Sequence, residues 1–101
     1  MNALNFELHP EAIAESVEAS LWYETRSEDA AERFVVELEE AEEQIRQSPQ
    51  MWARYLHGTR RYVLKTFPFS FVYSIEDTKI IGVAVAHHSR KPGYWKDRLK
   101  D

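Results

Sequence analysis

The first half of the chain has a hydrophobic pattern that predicts a short strand followed by a helix. Apolar and polar residues alternate over residues 5–9, which is typical of a half-buried strand. Pro10 follows, and proline suits the first turn of a helix because its missing N–H is not needed there. An apolar stripe then recurs every four residues at Ile13, Val17 and Leu21. The stripe predicts an amphipathic helix that ends near Glu24 and packs this face on the core.

A second, longer helix is predicted between Ser27 and the Ser48-Pro49 pair. Ser27 is a favourable N-cap, and the acidic residues directly after it suit the positive end of the helix dipole. The apolar stripe of this helix contains Ala31, Phe34, Leu38, Ala41 and Ile45. The glutamates at positions 37, 39, 40, 42 and 43 fall largely on other faces and predict a solvated surface. Because only a tight turn separates the two helices, we expect an antiparallel helical hairpin.

The second half of the chain is predicted to form a small sheet. Strands are indicated at residues 60–67, 69–75 and 79–87. Pro68 separates the first two, residues 76–78 suit a hairpin turn, and the third strand is apolar enough to predict an interior position. After a Pro-Gly turn, residues 94–99 suit one or two helical turns. The chain is therefore predicted to be a single α+β domain over residues 1–101, with an N-terminal strand and a helical hairpin packed on a mainly antiparallel sheet.

Composition narrows the class of protein. The chain has 101 residues, of which 44% are hydrophobic and 30% charged, an ordinary balance for one folded domain. It has no cysteine, which excludes disulfides, a thiolate nucleophile and cysteine-based metal sites. No apolar run approaches the roughly 20 residues of a membrane helix. Residues 1–5 lack the basic and apolar pattern of a signal peptide, so we expect a cytoplasmic protein.

Charge divides the chain into an acidic and a basic half. Residues 1–50 carry thirteen Asp and Glu against three Arg, whereas residues 51–101 carry ten Lys and Arg against four acidic residues. The basic half could meet an anionic partner, either a nucleic acid or an acidic protein. Alternatively, the two halves complement each other within the fold. The sequence leaves both interpretations open.

The most versatile side chains are concentrated at the end of the last predicted strand. An apolar run at residues 80–86 leads directly into His-His-Ser-Arg at residues 87–90, and Pro-Gly-Tyr-Trp follows at residues 92–95. Proton-transfer, anion-binding and stacking groups are thus predicted to lie close together. This segment also carries a family resemblance.

In their order along the chain, these features resemble the RelE/ParE superfamily, the toxins of bacterial and archaeal type II toxin–antitoxin pairs, often labelled plasmid stabilisation proteins. The resemblance extends from Phe6 to Arg98. It rests on the helical hairpin, Gly58-x-Arg60, Phe-Pro-Phe at 67–69, Val72-Tyr73, Ala-Val-Ala-His at 84–87, Arg90 and Pro-Gly-Tyr-Trp at 92–95.

The resemblance implies two alternative activities. Relatives of the RelE kind are metal-independent ribonucleases that cut messenger RNA in the ribosome, and relatives of the ParE kind poison DNA gyrase. Both are neutralised by a small antitoxin whose partly disordered segment folds across the toxin, and the antitoxin makes the DNA contacts of the complex. The Pro-Gly-Tyr-Trp segment and the lack of a dense Lys/Arg array favour the gyrase poison. A third interpretation is a non-toxic module that only binds an antitoxin and regulates it; none of the three requires a cofactor.

Five residues are candidates for catalysis or target binding: Arg60, Lys65, His87, Arg90 and Tyr94. Trp95 and Arg98 are secondary candidates. RNA cleavage without a metal needs a proton-transfer group, for which an imidazole is suited, and cations that stabilise the phosphate. The resemblance maps onto all of the first five except Lys65, which is a candidate on charge alone.

Each candidate also has a structural interpretation. Strand alternation places His87 on the face of residues 81, 83 and 85, and His88 on the face of residues 84 and 86. Histidines on opposite faces chelate a metal poorly, and one of the two is expected to be a core-edge histidine with a satisfied hydrogen bond. Arg90 could pair with a helix carboxylate, whereas Tyr94 and Trp95 could close one end of the core.

Overall fold

The structure, a computed structural model, describes residues 4–99. Residues 1–3 and 100–101 lie outside the described residues, and the prediction that the chain starts without a signal peptide falls mostly on residues 1–3. The elements are β1 (Asn5–Leu8), α1 (Pro10–Glu24), α2 (Glu28–Gln47), β2 (Ala53–Arg54), β3 (Arg60–Val63), β4 (Phe69–Glu76) and β5 (Lys79–His87), with 3₁₀ turns at Leu56–Gly58 and Lys96–Arg98. The strands form one sheet in the order β1-β5-β4-β3-β2, with β1 parallel to β5 and the other neighbours antiparallel. The predicted α+β architecture is confirmed.

Helix α1 packs on the sheet with a different face from the one that its apolar pattern predicts. Its buried residues are Ala12 and Ala19, whereas Ile13, Val17 and Leu21 are 47%, 52% and 56% exposed. The prediction that this stripe faces the core is therefore wrong. Small alanine side chains let the helix approach β5 closely, and the larger apolar residues consequently face outward.

Helix α2 follows its predicted pattern. Ser27 caps the helix, since its Oγ accepts a hydrogen bond from the Ala30 N–H at 3.3 Å. The buried residues are Ala31, Phe34, Ala41 and Ile45, all members of the predicted stripe. Within residues 4–99, neither this helix nor any other is long and apolar enough to span a membrane.

The sheet differs from its prediction at two places. Strand β3 ends at Val63, well before the predicted end at residue 67, because the Glu37 carboxylate on α2 accepts hydrogen bonds from the backbone N–H groups of Lys65 and Thr66 at 2.6 and 3.0 Å. Glu37 is therefore not simply a solvated residue of that helix. In addition, β2 forms where the sequence predicts only a loop. It was not predicted because a strand of two residues is too short to show any alternation.

A β-bulge in β5 determines which side chains meet at the end of that strand. Val72 of β4 pairs with residue 84, but Tyr73 pairs with residue 82, so Val83 is an extra residue in β5. Residues 81 and 83 consequently lie on the opposite side of the sheet from residue 85 and His87. The prediction that all four share one face is wrong, because the bulge changes the alternation.

The sheet has a core on each of its faces. On the helix side, Phe34 packs against Phe67 and Phe69 with ring centroids 5.3 and 5.1 Å apart. On the other face, which we call the back face, the C-terminal segment covers the sheet and Trp95 is only 1% exposed, packed with Val72. Trp95 therefore closes the core on this side of the molecule, which is the structural role that the sequence analysis gave as the alternative to target binding.

The turn before Trp95 depends on glycine. The Tyr94 N–H donates a hydrogen bond to the Lys91 carbonyl at 3.1 Å, which closes a four-residue turn with Pro92 and Gly93 in its centre. Gly93 has a φ of 83° there, in the left-handed region that favours glycine. The turn directs the C-terminal segment back across the sheet.

Candidate functional site

Two clefts open at the C-terminal end of β5, one on each face of the sheet. The helix-side cleft, about 660 Å³, lies between α1 and the ring of Phe69. The back cleft is smaller, about 130 Å³, and is bounded by Arg61, His88 and Trp95. His87 and Arg90 line both clefts. The end of β5 is thus the place where several candidate groups approach one another.

The two adjacent histidines point to different faces. The half-buried His87 ring meets Phe69 edge-on with centroids 4.9 Å apart, and its Nδ1 accepts a hydrogen bond from the Ser89 N–H at 3.0 Å. On the back face, the exposed His88 has its Nε2 3.0 Å from the Ser70 Oγ. Among residues 4–99, no group of three or more His, Asp or Glu is arranged to hold a metal ion.

Arg90 and Tyr94 form a stacked pair beside the back cleft. The Arg90 guanidinium carbon lies 3.8 Å from the centroid of the Tyr94 ring, an arrangement that favours a cation over an aromatic face. The Tyr94 hydroxyl donates a hydrogen bond to Glu15 Oε2 at 2.5 Å. Burial and this bond to the carboxylate raise the pKa of Tyr94 well above 10.0, and the guanidiniums of Arg90 and Arg98 offset only part of the rise.

Glu15 is the organising residue of this region, although no sequence motif indicates it. Its carboxylate accepts hydrogen bonds from the Val85 N–H at 3.0 Å, from the Tyr94 hydroxyl, and from both terminal nitrogens of Arg98 at 3.0 and 2.8 Å. The Val85 N–H is available because the pairing of β1 with β5 ends at residue 82. The hydrogen bond to Glu15 raises the pKa of Arg98. Glu15 and Glu18 both lie between the buried alanines of α1, so the sequence does not distinguish Glu15.

The other two predicted cations lie away from the clefts. Arg60 donates hydrogen bonds from Nη1 to the Gln50 and Trp52 carbonyls at 3.0 and 2.8 Å, which hold the loop before β2. Its charge partly offsets the effect of burial on Tyr73, whose pKa is nevertheless raised to about 12. Lys65 has an exposed side chain beyond the end of β3 and lines neither cleft.

Arg61 is a site residue that sequence reasoning missed. It lies on β3 with its guanidinium carbon 4.3 Å from the centroid of the Tyr55 ring, and it lines the back cleft. Adjacent residues of a strand point to opposite faces, so Arg60 and Arg61 cannot both face the same site. The motif Gly58-x-Arg60 indicated Arg60, whose guanidinium instead holds the loop before β2.

We expect the partly buried phenol of Tyr94, which is hydrogen-bonded to Glu15, to make the protein less stable at alkaline pH. Its pKa is higher in the folded than in the unfolded state, so its stabilising contribution is complete below about pH 10 and is lost as the pH rises towards the folded-state pKa. The free energy of unfolding should therefore fall more steeply above pH 10 in the wild type than in Tyr94→Phe. Urea unfolding followed by circular dichroism at several alkaline pH values measures both slopes. Equal slopes would contradict this expectation.

Comparison with known proteins gives a matching family and a similar solved structure. Residues 6–92 match the family described as ParE toxin of type II toxin-antitoxin system, parDE. A chain of the solved structure titled "Chromosomal ParDE TA system from P. aeruginosa" superposes with a TM-score of 0.75, covering 84% of this chain and 96% of that one at 17% identity. At this identity the structural likeness shows a shared fold. No curated protein matches the sequence significantly.

Proposed function

Because the chain belongs to the ParE toxin family of type II toxin–antitoxin systems, we propose that it arrests growth by poisoning DNA gyrase in the cytoplasm. A cognate antitoxin would hold it inactive until the antitoxin is degraded. In this proposal the chain acts by binding its target and does not catalyse a reaction. Its C-terminal basic segment would help to engage gyrase or the DNA that gyrase holds.

The observation that carries this proposal is that several groups that RNA cleavage would need are already hydrogen-bonded to other parts of the protein. The Tyr94 hydroxyl and the Arg98 guanidinium are bound to Glu15, and Arg60 is bound to backbone carbonyls. A general acid or base must reach the reacting oxygen within hydrogen-bond distance, and these groups already have protein partners. The arrangement therefore favours recognition of a macromolecule over acid–base catalysis.

An antitoxin partner is supported by apolar surface on the helical hairpin. Val17 and Leu21 of α1 are about half exposed and, with Val35 of α2, line a groove of about 300 Å³ between the helices. Contiguous exposed apolar surface is typical of protein–protein interfaces. An antitoxin segment that folds on binding would bury these side chains in the groove.

A RelE-like ribonuclease is the second candidate function. It is favoured by the back cleft, where Arg61, His88 and Arg90 combine two guanidiniums with an imidazole. Such groups suit a scissile phosphate and a proton transfer. In that case His88→Ala and Arg90→Ala should each abolish messenger cleavage in a protein that stays folded.

The two candidates are distinguished by expressing the chain without an antitoxin. We expect the expressed chain to arrest growth. We also expect the purified chain to inhibit DNA supercoiling by gyrase and to leave ribosome-bound messenger RNA intact. Cleaved messenger with normal supercoiling would instead establish the ribonuclease. Unaffected growth together with tight antitoxin binding would indicate the non-toxic regulatory module.

A further inference from the structure

The helix-side cleft has a continuous aromatic wall. The rings that follow one another along it are those of Trp22, Tyr23, Phe69 and His87, with successive centroids 5.1, 6.4 and 4.9 Å apart. Each pair meets edge to face, an arrangement that aromatic rings prefer over a face-to-face sandwich. The cleft volume of about 660 Å³ lies within the roughly 300–1,000 Å³ of typical small-molecule sites. The wall therefore offers a surface on which a flat apolar ligand can pack.

One end of this wall carries hydrogen-bond donors without a partner among residues 4–99. His87 Nδ1 accepts the Ser89 N–H at 3.0 Å, so the proton of the neutral ring is on Nε2, which is free to donate. The Arg90 guanidinium stacks on the Tyr94 ring, which fixes its plane and leaves its N–H edge available to bind an anion. The Arg90 N–H donates to the His87 carbonyl at 3.0 Å, so one tight turn carries both side chains. The two groups can therefore bind the same anion.

The carboxylates of the cleft limit the charge of that anion. Glu15 is neutralised by Arg98, whose Nη2 lies 2.8 Å from its Oε2. Glu18 also lines the cleft, and it is exposed and has no ion pair within the described part of the chain. Its charge opposes a second negative charge on the ligand. A monoanion is therefore favoured over a phosphomonoester, which carries nearly two charges at neutral pH, and over a polyanion.

We infer that the helix-side cleft binds a small aromatic monocarboxylate. The ring of the ligand packs on the aromatic wall, and its carboxylate binds to Arg90 and His87. A planar guanidinium matches the two oxygens of a carboxylate with parallel N–H···O bonds. The ligand would thus contact both α1 and the turn after β5. This inference goes beyond the proposed function, because it gives a ligand to a cleft that the proposed function does not use, and it requires neither gyrase nor an antitoxin.

The inference is tested with three probes that share one ring system: naphthoate, naphthamide and naphthyl phosphate. NMR titration of the isotope-labelled full chain measures each affinity and locates the bound probe through the amide shifts. We expect naphthoate to bind with a dissociation constant of about 1 mM or below, as the size of the probe predicts. The shifts should fall on Phe69, His87 and Ser89. The uncharged amide and the phosphate should each bind at least about 5-fold more weakly.

Two substitutions separate the contributions of the carboxylate and the ring. Arg90→Gln should weaken naphthoate binding roughly 10-fold and leave naphthamide binding unchanged, because only the carboxylate binds to the guanidinium. Trp22→Ala should weaken both probes by about 3-fold or more, because it removes one ring of the wall. The matched control is Arg61→Gln, which removes an arginine from the back cleft and lies outside the lining of the helix-side cleft. It should bind naphthoate as the wild type does, and circular dichroism establishes that all variants are folded.

The inference is overturned if no probe binds, or if naphthamide or naphthyl phosphate binds as tightly as naphthoate. Equal losses for Arg61→Gln and Arg90→Gln would also overturn it, because the anion would then lie in the back cleft. Shifts centred on Val35 would place the probe in the groove between the helices instead. A tripeptide that ends in phenylalanine and binds more tightly than naphthoate would replace the small molecule by a chain terminus. None of these results depends on gyrase inhibition, so the two proposals fail independently.

Discussion

Glu15→Ala should lower the free energy of unfolding by about 3–5 kcal/mol, the cost of removing one partner from a buried ion pair. Glu15 and Arg98 are only 12% and 11% exposed in their side chains, so water replaces the lost carboxylate poorly, and the carboxylate left near Arg98 is that of the exposed Glu11 at 3.4 Å. The Val85 N–H and the Tyr94 hydroxyl would lose their acceptor at the same time. Thermal unfolding followed by circular dichroism should show a decrease in midpoint of more than about 12 °C.

The control for this substitution is Glu18→Ala, which removes the same charge from the same helix at an exposed position. Its free energy of unfolding should stay within roughly 0.5 kcal/mol of the wild type. If both variants lost equal stability, the helix charge and not the hydrogen-bonded cluster would be responsible.

The second large effect is expected for Trp95→Ala, which should cost about 3–5 kcal/mol because it leaves a large cavity under the C-terminal segment. Trp95 is almost completely buried and joins that segment to Val72 and Val83 on the back face. Urea unfolding gives the free energy directly, and a lower m-value would indicate that the segment has detached from the native state. Trp95→Phe should recover part of the loss, since its ring fills part of the cavity.

Trp22→Ala is the matched control for this position. Trp22 is 53% exposed on α1, where the Arg26 guanidinium carbon lies 4.3 Å from its ring centroid. Its replacement removes a comparable side chain but little buried area, so we expect a loss below about 1 kcal/mol. Similar losses for the two tryptophan variants would show that the back-face core contributes much less than its burial indicates.

Hydrophobic periodicity predicted the helices and most of the sheet, and its one failure in the helices is informative. On α2 the predicted stripe is the buried face, with Phe34 and Ile45 fully buried, so the stripe identified that face correctly. On α1 the buried face is built from Ala12 and Ala19, and the larger Ile13 and Val17 are exposed. Periodicity shows that a helix has an apolar face, but it does not show whether the core or another protein covers that face. That decision depends on how closely the helix approaches the sheet.

The sequence predicted that several candidate groups lie close together at the end of β5, but it did not predict all the residues that line the clefts there. The end of β5 does carry two clefts, and His87, Arg90 and Tyr94 lie beside them. Arg61 was missed and Arg60 was preferred, because neighbouring strand residues look alike in sequence although they face opposite sides of the sheet. Glu15 was missed because a carboxylate on an acidic helix carries no signal of its own. Its role appears only when the C-terminal segment is packed against α1.

The sequence by itself determined the α+β class, the helical hairpin, the interior apolar strand and the family. These follow from propensities, periodicities and turn residues that act over a few neighbouring positions. Only the tertiary structure decided which groups meet. Glu15 lies 79 and 83 positions from Tyr94 and Arg98, and the bulge at Val83 exists only in the pairing of β5 with β4. Such contacts depend on how strands register and how a tail packs, which no local pattern of residues encodes.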